Sequence, residues 1–130
     1  MVYVKINGTL YPATIDGKMA DREWDNRESK AITLEMGYAE ANALFADGLE
    51  WSIVQQYEVP IYEVDENGEY VLGENNKPIQ IGVEYVSDTW DNSEFSVAGS
   101  ITDHRNGTVT AKMGKITDSE ALAELMEVLA

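Results

Sequence analysis

Acid–base chemistry in this 130-residue chain would have to rest on its single histidine, His104, or on a pair drawn from its 24 carboxylates. His104 lies between Asp103 and Arg105, and an Asp–His pair can orient an imidazole as a general base. Neighbours along a strand point to opposite faces, so these two side chains are not placed to meet, and a surface turn histidine is the simpler expectation. Cysteine is absent, which removes thiol nucleophiles, zinc–thiolate sites, iron–sulfur clusters and disulfide frameworks. The chain has no G-x-S-x-G elbow, no G-x-G-x-x-G and no glycine-rich phosphate loop. Glycoside hydrolysis needs two carboxylates at a set separation across a cleft, and no spacing selects two from the many present. Asp65-Glu66-Asn67-Gly68-Glu69 opens like a calcium loop, but its glycine falls at position four rather than six. Position twelve is Asn76, which cannot give a bidentate carboxylate. The expectation is a binding protein, not an enzyme, with no catalytic, metal or cofactor site.

The carboxylates matter more as a field than as catalysts. The formal net charge is −15, from 24 acids against 9 bases. From Ala31 to His104 there are fifteen acids: Glu35, Glu40, Asp47, Glu50, Glu58, Glu63, Asp65, Glu66, Glu69, Glu74, Glu84, Asp88, Asp91, Glu94 and Asp103. Lys77 is the only base in that stretch, whereas the two ends together hold nine acids and eight bases. Self-repulsion on this scale costs stability in the compact state, so it calls for a reason. Solubility is one; a basic partner is the other. The residues expected to meet such a partner are Glu58, Glu63, Asp65, Glu66, Glu69, Glu74, Glu84, Asp88 and Asp91. Direct nucleic-acid binding is disfavoured, because it needs Lys and Arg facing phosphate.

The length suits one domain, residues 1–130, with enough chain to bury a core. No apolar run approaches a membrane span, and the N-terminus reads as a strand rather than a targeting segment, so a soluble, intracellular protein is expected. Asn7-Gly8 between Val2–Ile6 and Thr9–Ile15, and Asn106-Gly107 between Phe95–Thr102 and Thr108–Met113, are strong hairpin signals. Asn67-Gly68 separates Ile61–Val64 from Tyr70–Leu72, and Ile79–Val86 follows with Ile79, Ile81, Val83 and Tyr85 on one face. Ala31–Met36 is a further strand, and the polar stretch Asp16–Lys30 reads as a loop. Tyr38, Ala41, Leu44 and Phe45 share a helical face closed by Asp47-Gly48. Thr117 and Glu120 form a capping box, with Leu122, Leu125, Met126 and Leu129 behind it in a stripe expected to face the core. Trp24-Asp25-Asn26 and Trp90-Asp91-Asn92 repeat a turn device that launches a strand over a packed indole. The sum is an α+β fold: a largely antiparallel sheet of seven or eight short strands with two helices, one C-terminal.

Tyr11–Ile15, Asp21–Met36, Trp51–Val54 and Thr102–Gly114 together resemble small acidic proteins encoded in prophages of Gram-positive gut bacteria. The resemblance implies a phage gene product, among which are both late structural proteins and inhibitors of host defence, the anti-CRISPR proteins included. On the first reading the chain is an inhibitor in the host bacterial cytoplasm that presents carboxylates, as a DNA mimic, to a basic Cas9-type nuclease channel. Fifteen charges match roughly 25 Å of duplex at one per about 1.7 Å, close to the width of a domain with a radius of gyration near 14 Å, on the order expected for this length. The alternative is a virion component, a tail or baseplate accessory protein, anchored by Trp24, Trp51 or Trp90.

Overall fold

The computed structural model describes residues 1–129. Its strands are β1 (Val2–Ile6), β2 (Thr9–Asp21), β3 (Arg27–Glu35), β4 (Ser52–Tyr62), β5 (Gln80–Asp91), β6 (Val97–Asp103) and β7 (Thr108–Gly114), with helices α1 (Tyr38–Leu44) and α2 (Asp118–Leu129). The seven strands form one sheet in the order β5-β4-β1-β2-β3-β7-β6, every neighbour antiparallel. The α+β expectation therefore holds. The first hairpin turns as its Asn-Gly pair requires, with Asn7 at φ 51° and Gly8 at φ 80°. The β6–β7 turn uses Arg105 and Gly107 in the left-handed region instead, while the Asn106 carboxamide oxygen accepts from Thr108 N at 3.0 Å.

Strand β2 joins two half-sheets: residues 9–12 pair with β1 and residues 13–21 with β3. One face supplies the core. Val4 and Ile6 of β1, Ile32 and Leu34 of β3, and Val109, Ala111 and Met113 of β7 are buried there with Ala41 of α1, Phe45, Trp51 and Phe95. Ala41 and Phe45 were legible as a helical face, and Gly48 at φ 84° supplies the left-handed residue after the helix.

Two expectations fail. The stretch Asp16–Lys30 is not a loop: it is the second half of β2, a 3₁₀ turn at Arg22–Trp24 and the start of β3. Few of its residues are apolar, so no period-two signal marks it. What holds it is polar and long-range. Asp21, 1% exposed, accepts from Ser29 Oγ at 3.1 Å, pairs with Lys112 Nζ at 2.6 Å, and caps the turn through Glu23 N at 3.1 Å. Lys112 beside it holds the Asp21 carboxyl below the usual carboxylate range, and Asp21 in turn raises Lys112. Trp24 then lies over two glycines, and Arg27 stacks on its ring at 5.3 Å.

The second failure concerns α2. Its capping box is present, Glu120 N donating to Thr117 Oγ1 at 3.2 Å and Thr117 N to Glu120 Oε1 at 3.0 Å. Three residues of the apolar stripe, however, do not enter the core: Leu122, Leu125 and Met126 are 57%, 55% and 62% exposed, and the Leu129 side chain lies outside the described residues. The core face of the sheet is already filled by α1, Trp51 and Phe95. The helix is held at its first turn, where the Arg27 guanidinium donates to both Glu120 oxygens at 2.6 and 3.1 Å.

A Cβ on Gly114 would fall 2.4 Å from Arg27 Cδ and 2.8 Å from the Trp24 ring, and one on Gly99 2.8 Å from that ring and 3.0 Å from the Lys112 carbonyl. Gly99→Ala and Gly114→Ala should each destabilise by about 1–3 kcal/mol in denaturant unfolding. Gly17→Ala meets nothing within 4 Å and should change stability by less than about 0.5 kcal/mol. A second prediction concerns pH. Arg27, with the Thr117 groups, holds the Glu120 carboxyl down at about 2 against an ordinary 4.5. A depressed carboxylate stabilises fully above its unfolded value and loses that contribution as pH falls through the folded one. The melting-temperature difference between wild type and Glu120→Gln should thus be complete above pH 4.5 and vanish toward pH 2.

Candidate functional site

Strands β4 and β5 pair from Ser52↔Asp91 to Tyr62↔Gln80. Only the base of this hairpin belongs to the body: Ser52–Gln55 pair with β1, and Gln56 exchanges hydrogen bonds with Met1, at 2.9 Å from Gln56 N and 2.7 Å from the N-terminal ammonium. Beyond Gln56, β4 has no neighbour but β5 among the described residues. The six residues Tyr57–Tyr62 therefore extend as a two-stranded arm of roughly 20 Å. Its tip folds back on itself. Val71 N donates to the Glu63 carbonyl at 3.0 Å and Ile79 N to the Val71 carbonyl at 3.2 Å, with bridges at Val64↔Tyr70 and Leu72↔Pro78. Tyr62 and Tyr70 meet edge to face at 5.6 Å. The Asp65 carboxylate, considered above for calcium, accepts from Asn67 N at 2.9 Å and Glu69 N at 3.1 Å, closing the Asn67-Gly68 turn.

All nine carboxylates expected to meet a partner lie on the β4–β5 hairpin or its tip, seven of them on the projecting arm, and all are exposed. They do not form one face. Glu58 stands opposite Tyr85, and Glu84 opposite Val59, on the other side of the ribbon. Glu63, Asp65, Glu66, Glu69 and Glu74 ring the tip. Asp88 and Asp91 sit at the base, opposite Gln55 and Ser52. Three have work inside the chain, Asp65 in the tip turn among them. Asp91 accepts from Ser93 Oγ at 2.6 Å and Ser93 N at 3.0 Å, which holds its carboxyl below the usual range. The Asp88 charge raises the Tyr57 phenol.

Sequence reasoning saw Ile81, Val83 and Tyr85 as one face but missed Tyr57 and Val59, and missed that the arm's apolar residues are left uncovered. Tyr57, Val59 and Ile61 on one face and Val83 and Tyr85 on the other are exposed, Tyr85 by 71%, and Ile81 near the tip by 63%. The available signal was Pro60, because proline within a strand marks an edge, together with apolar residues at both parities in Tyr57–Tyr62. Of the three tryptophans proposed as anchors, Trp51 is 2% exposed and belongs to the core, which removes it. Trp24 lies under Arg27, and Trp90 in β5 is 49% exposed.

Elsewhere the surface offers little chemistry. The His104 ring Nε2 lies 2.7 Å from Thr110 Oγ1, while the Asp103 carboxylate accepts from Arg105 N at 2.9 Å. A shallow cleft of about 670 Å³ is lined by Tyr11, Pro12, Ala13, Leu34 and neighbours, with Glu35 its one acidic side chain. Among the described residues no three His, Asp or Glu side chains are grouped to hold a metal ion, and no helix is long and apolar enough to cross a membrane. No protein family, curated protein or solved structure matches this chain.

A two-stranded ribbon open on both faces is marginally stable by itself. Amides of residues 57–62 and 80–86 should exchange with solvent at least tenfold faster than those of β3 and β7, measured by hydrogen exchange with NMR detection.

Proposed function

We propose that this chain is a non-enzymatic assembly protein that docks to other proteins through the β4–β5 arm. With the resemblance of its segments to small prophage-encoded proteins, the reading is a virion component, such as a tail or baseplate accessory protein. The observation that carries it is the set Tyr57, Val59, Ile61, Ile81, Val83 and Tyr85, exposed on an arm that its own chain leaves uncovered. Each face of the ribbon carries its own row of these residues; grouped exposed apolar side chains mark protein interfaces, and a mimic acting by charge alone has no need of them. The carboxylates between these residues keep the free subunit soluble and repel other copies. Trp90 takes the anchor role at the arm's base. Synthesis in the host cytoplasm is followed, on this reading, by incorporation into particles.

One observation favours the inhibitor reading: seven carboxylates and a single base, Lys77, on one projecting element, with Asp88 and Asp91 at its base. Such an arm could enter the basic channel of a Cas9-type effector.

The test is prophage induction with and without the gene, followed by mass spectrometry and infectivity of purified particles. Wild-type chain is expected in the particles, and the double variant Ile61→Asn/Val83→Asn, with an unchanged unfolding curve, should drop out of them by tenfold or more. Absence of the wild-type chain from particles, with salt-sensitive inhibition of guide-loaded Cas9 cleavage by the purified protein, would replace assembly with inhibition.

A further inference from the structure

The sheet leaves several strand edges unpaired, and a long open edge is a template for pairing with another chain unless lysine, proline, a bulge or a cover blunts it. Strand β6 is covered: Ala98 N donates to Asp47 Oδ1 at 2.8 Å, Gly48 N to the Ser96 carbonyl at 2.8 Å, and its register shifts between Ala98 and Ile101. The far half of β2 carries Lys18 and a shift between Lys18 and Asp21. The outer edge of β4 is capped by Met1 at Gln56 and then interrupted by Pro60, which has no N–H to offer. Strand β5 has none of these devices from Gly82 to Asp91. Over that run it pairs with β4 without a register shift and holds no lysine and no proline. At about 3.4 Å per residue, it exposes roughly 30 Å of unpaired edge.

Its guards are of one sign only: Glu84, Asp88 and Asp91. Carboxylates set like against like oppose a second copy of a chain with net charge −15, but they attract a basic strand. We propose that the β5 edge is a strand-addition site, and that its occupant is an extended segment of a partner protein carrying Lys or Arg at two positions four residues apart. The spacing follows from the register. Side chains alternate along a strand, so Glu84, Val86, Asp88 and Trp90 share one face. Directly opposed residues in an added strand take that same face. The complementary segment therefore reads basic, any, apolar, any, basic, with the apolar residue against Val86 and a base against each of Glu84 and Asp88. Half-exposed Trp90 lies just beyond, within reach of a further cation. Main-chain bonds would give affinity and the alternate side chains specificity, as in other strand-addition complexes. This inference rests on the arm being the docking element, and it specifies which edge docks and to what.

The experiment uses the full ¹⁵N-labelled chain and the capped peptide Thr-Arg-Thr-Val-Thr-Arg-Thr, with hydrogen exchange read residue by residue. Exchange of β5 amides is expected to slow at least tenfold on peptide binding. Replacing both arginines of the peptide by glutamate should abolish the effect, and Glu84→Lys/Asp88→Lys in the protein should weaken binding tenfold or more. Two further peptides are N-methylated at one or the other alternate set of amides. Strand addition uses only one set, so one peptide should lose binding and the other keep it. No slowing in β5 at millimolar unmodified peptide, or equal behaviour of the two methylated peptides, would overturn the inference. The outcome is separable from the particle test. Loss of Ile61→Asn/Val83→Asn from particles with no β5 protection would keep the arm as docking element and discard strand addition.

Discussion

The burial of Trp51 holds the rest of the molecule in register. Its indole fills the core while Nε1 donates to the Phe95 carbonyl at 2.9 Å, so the polar atom of a large buried ring is satisfied. Trp51 is the residue before β4, and Asn92 the residue after β5. Asn92 N donates to the Trp51 carbonyl at 2.9 Å, and Phe95 N to the Asn92 carbonyl at 2.9 Å. The Asn92 carboxamide accepts from Lys30, whose ammonium also lies 4.5 Å from the Phe95 ring centre. The Trp51 and Asn92 main chains thus join the two ends of the arm, and Lys30 of β3 holds the Asn92 side. An arm open on both faces can project from the body because its base is fixed there.

The body and its outliers differ in how they are held. The core face is apolar and packed. On the opposite face, the Asp21–Ser29–Lys112 cluster and the Trp24–Arg27 stack carry the fold, and Arg27 passes that hold to α2 through Glu120. The arm and α2 receive almost no packing in return. Both present apolar residues to solvent, and both are acidic: α2 contains Asp118, Glu120, Glu124 and Glu127 and no base. A surface that is apolar and negative at once is kept from its own copies by repulsion and remains open to basic partners. That combination, more than net charge, is what the assembly reading explains.

Local chemistry was readable wherever a few adjacent residues settle the outcome. Asn7-Gly8 turns the first hairpin because both positions accept positive φ, and Thr117 with Glu120 starts α2 through two reciprocal bonds. The alternation in Thr108–Met113 and the Tyr38–Phe45 face are likewise visible, since burial imposes the period of the element it buries. The position of the charge in the middle of the chain was visible too. The second half of β2 was not, because its stabilising partners are Ser29 and Lys112, far off in sequence or on another strand.

What the sequence by itself determined is the α+β class, the hairpins, the two helices and the concentration of net negative charge in the middle of the chain, because each follows from short-range sterics, capping or counting. Tertiary structure alone decided which apolar residues are core. The stripe of α2 and the faces of β4 and β5 have the same periodicity as buried elements, yet they stand in solvent. Periodicity reports that a face is apolar, and only the placement of neighbouring elements decides whether anything covers it. The nine carboxylates came onto one hairpin for the same reason: β4 and β5 pair with each other and, beyond their base, leave the body, so a charged stretch of chain became a projecting arm.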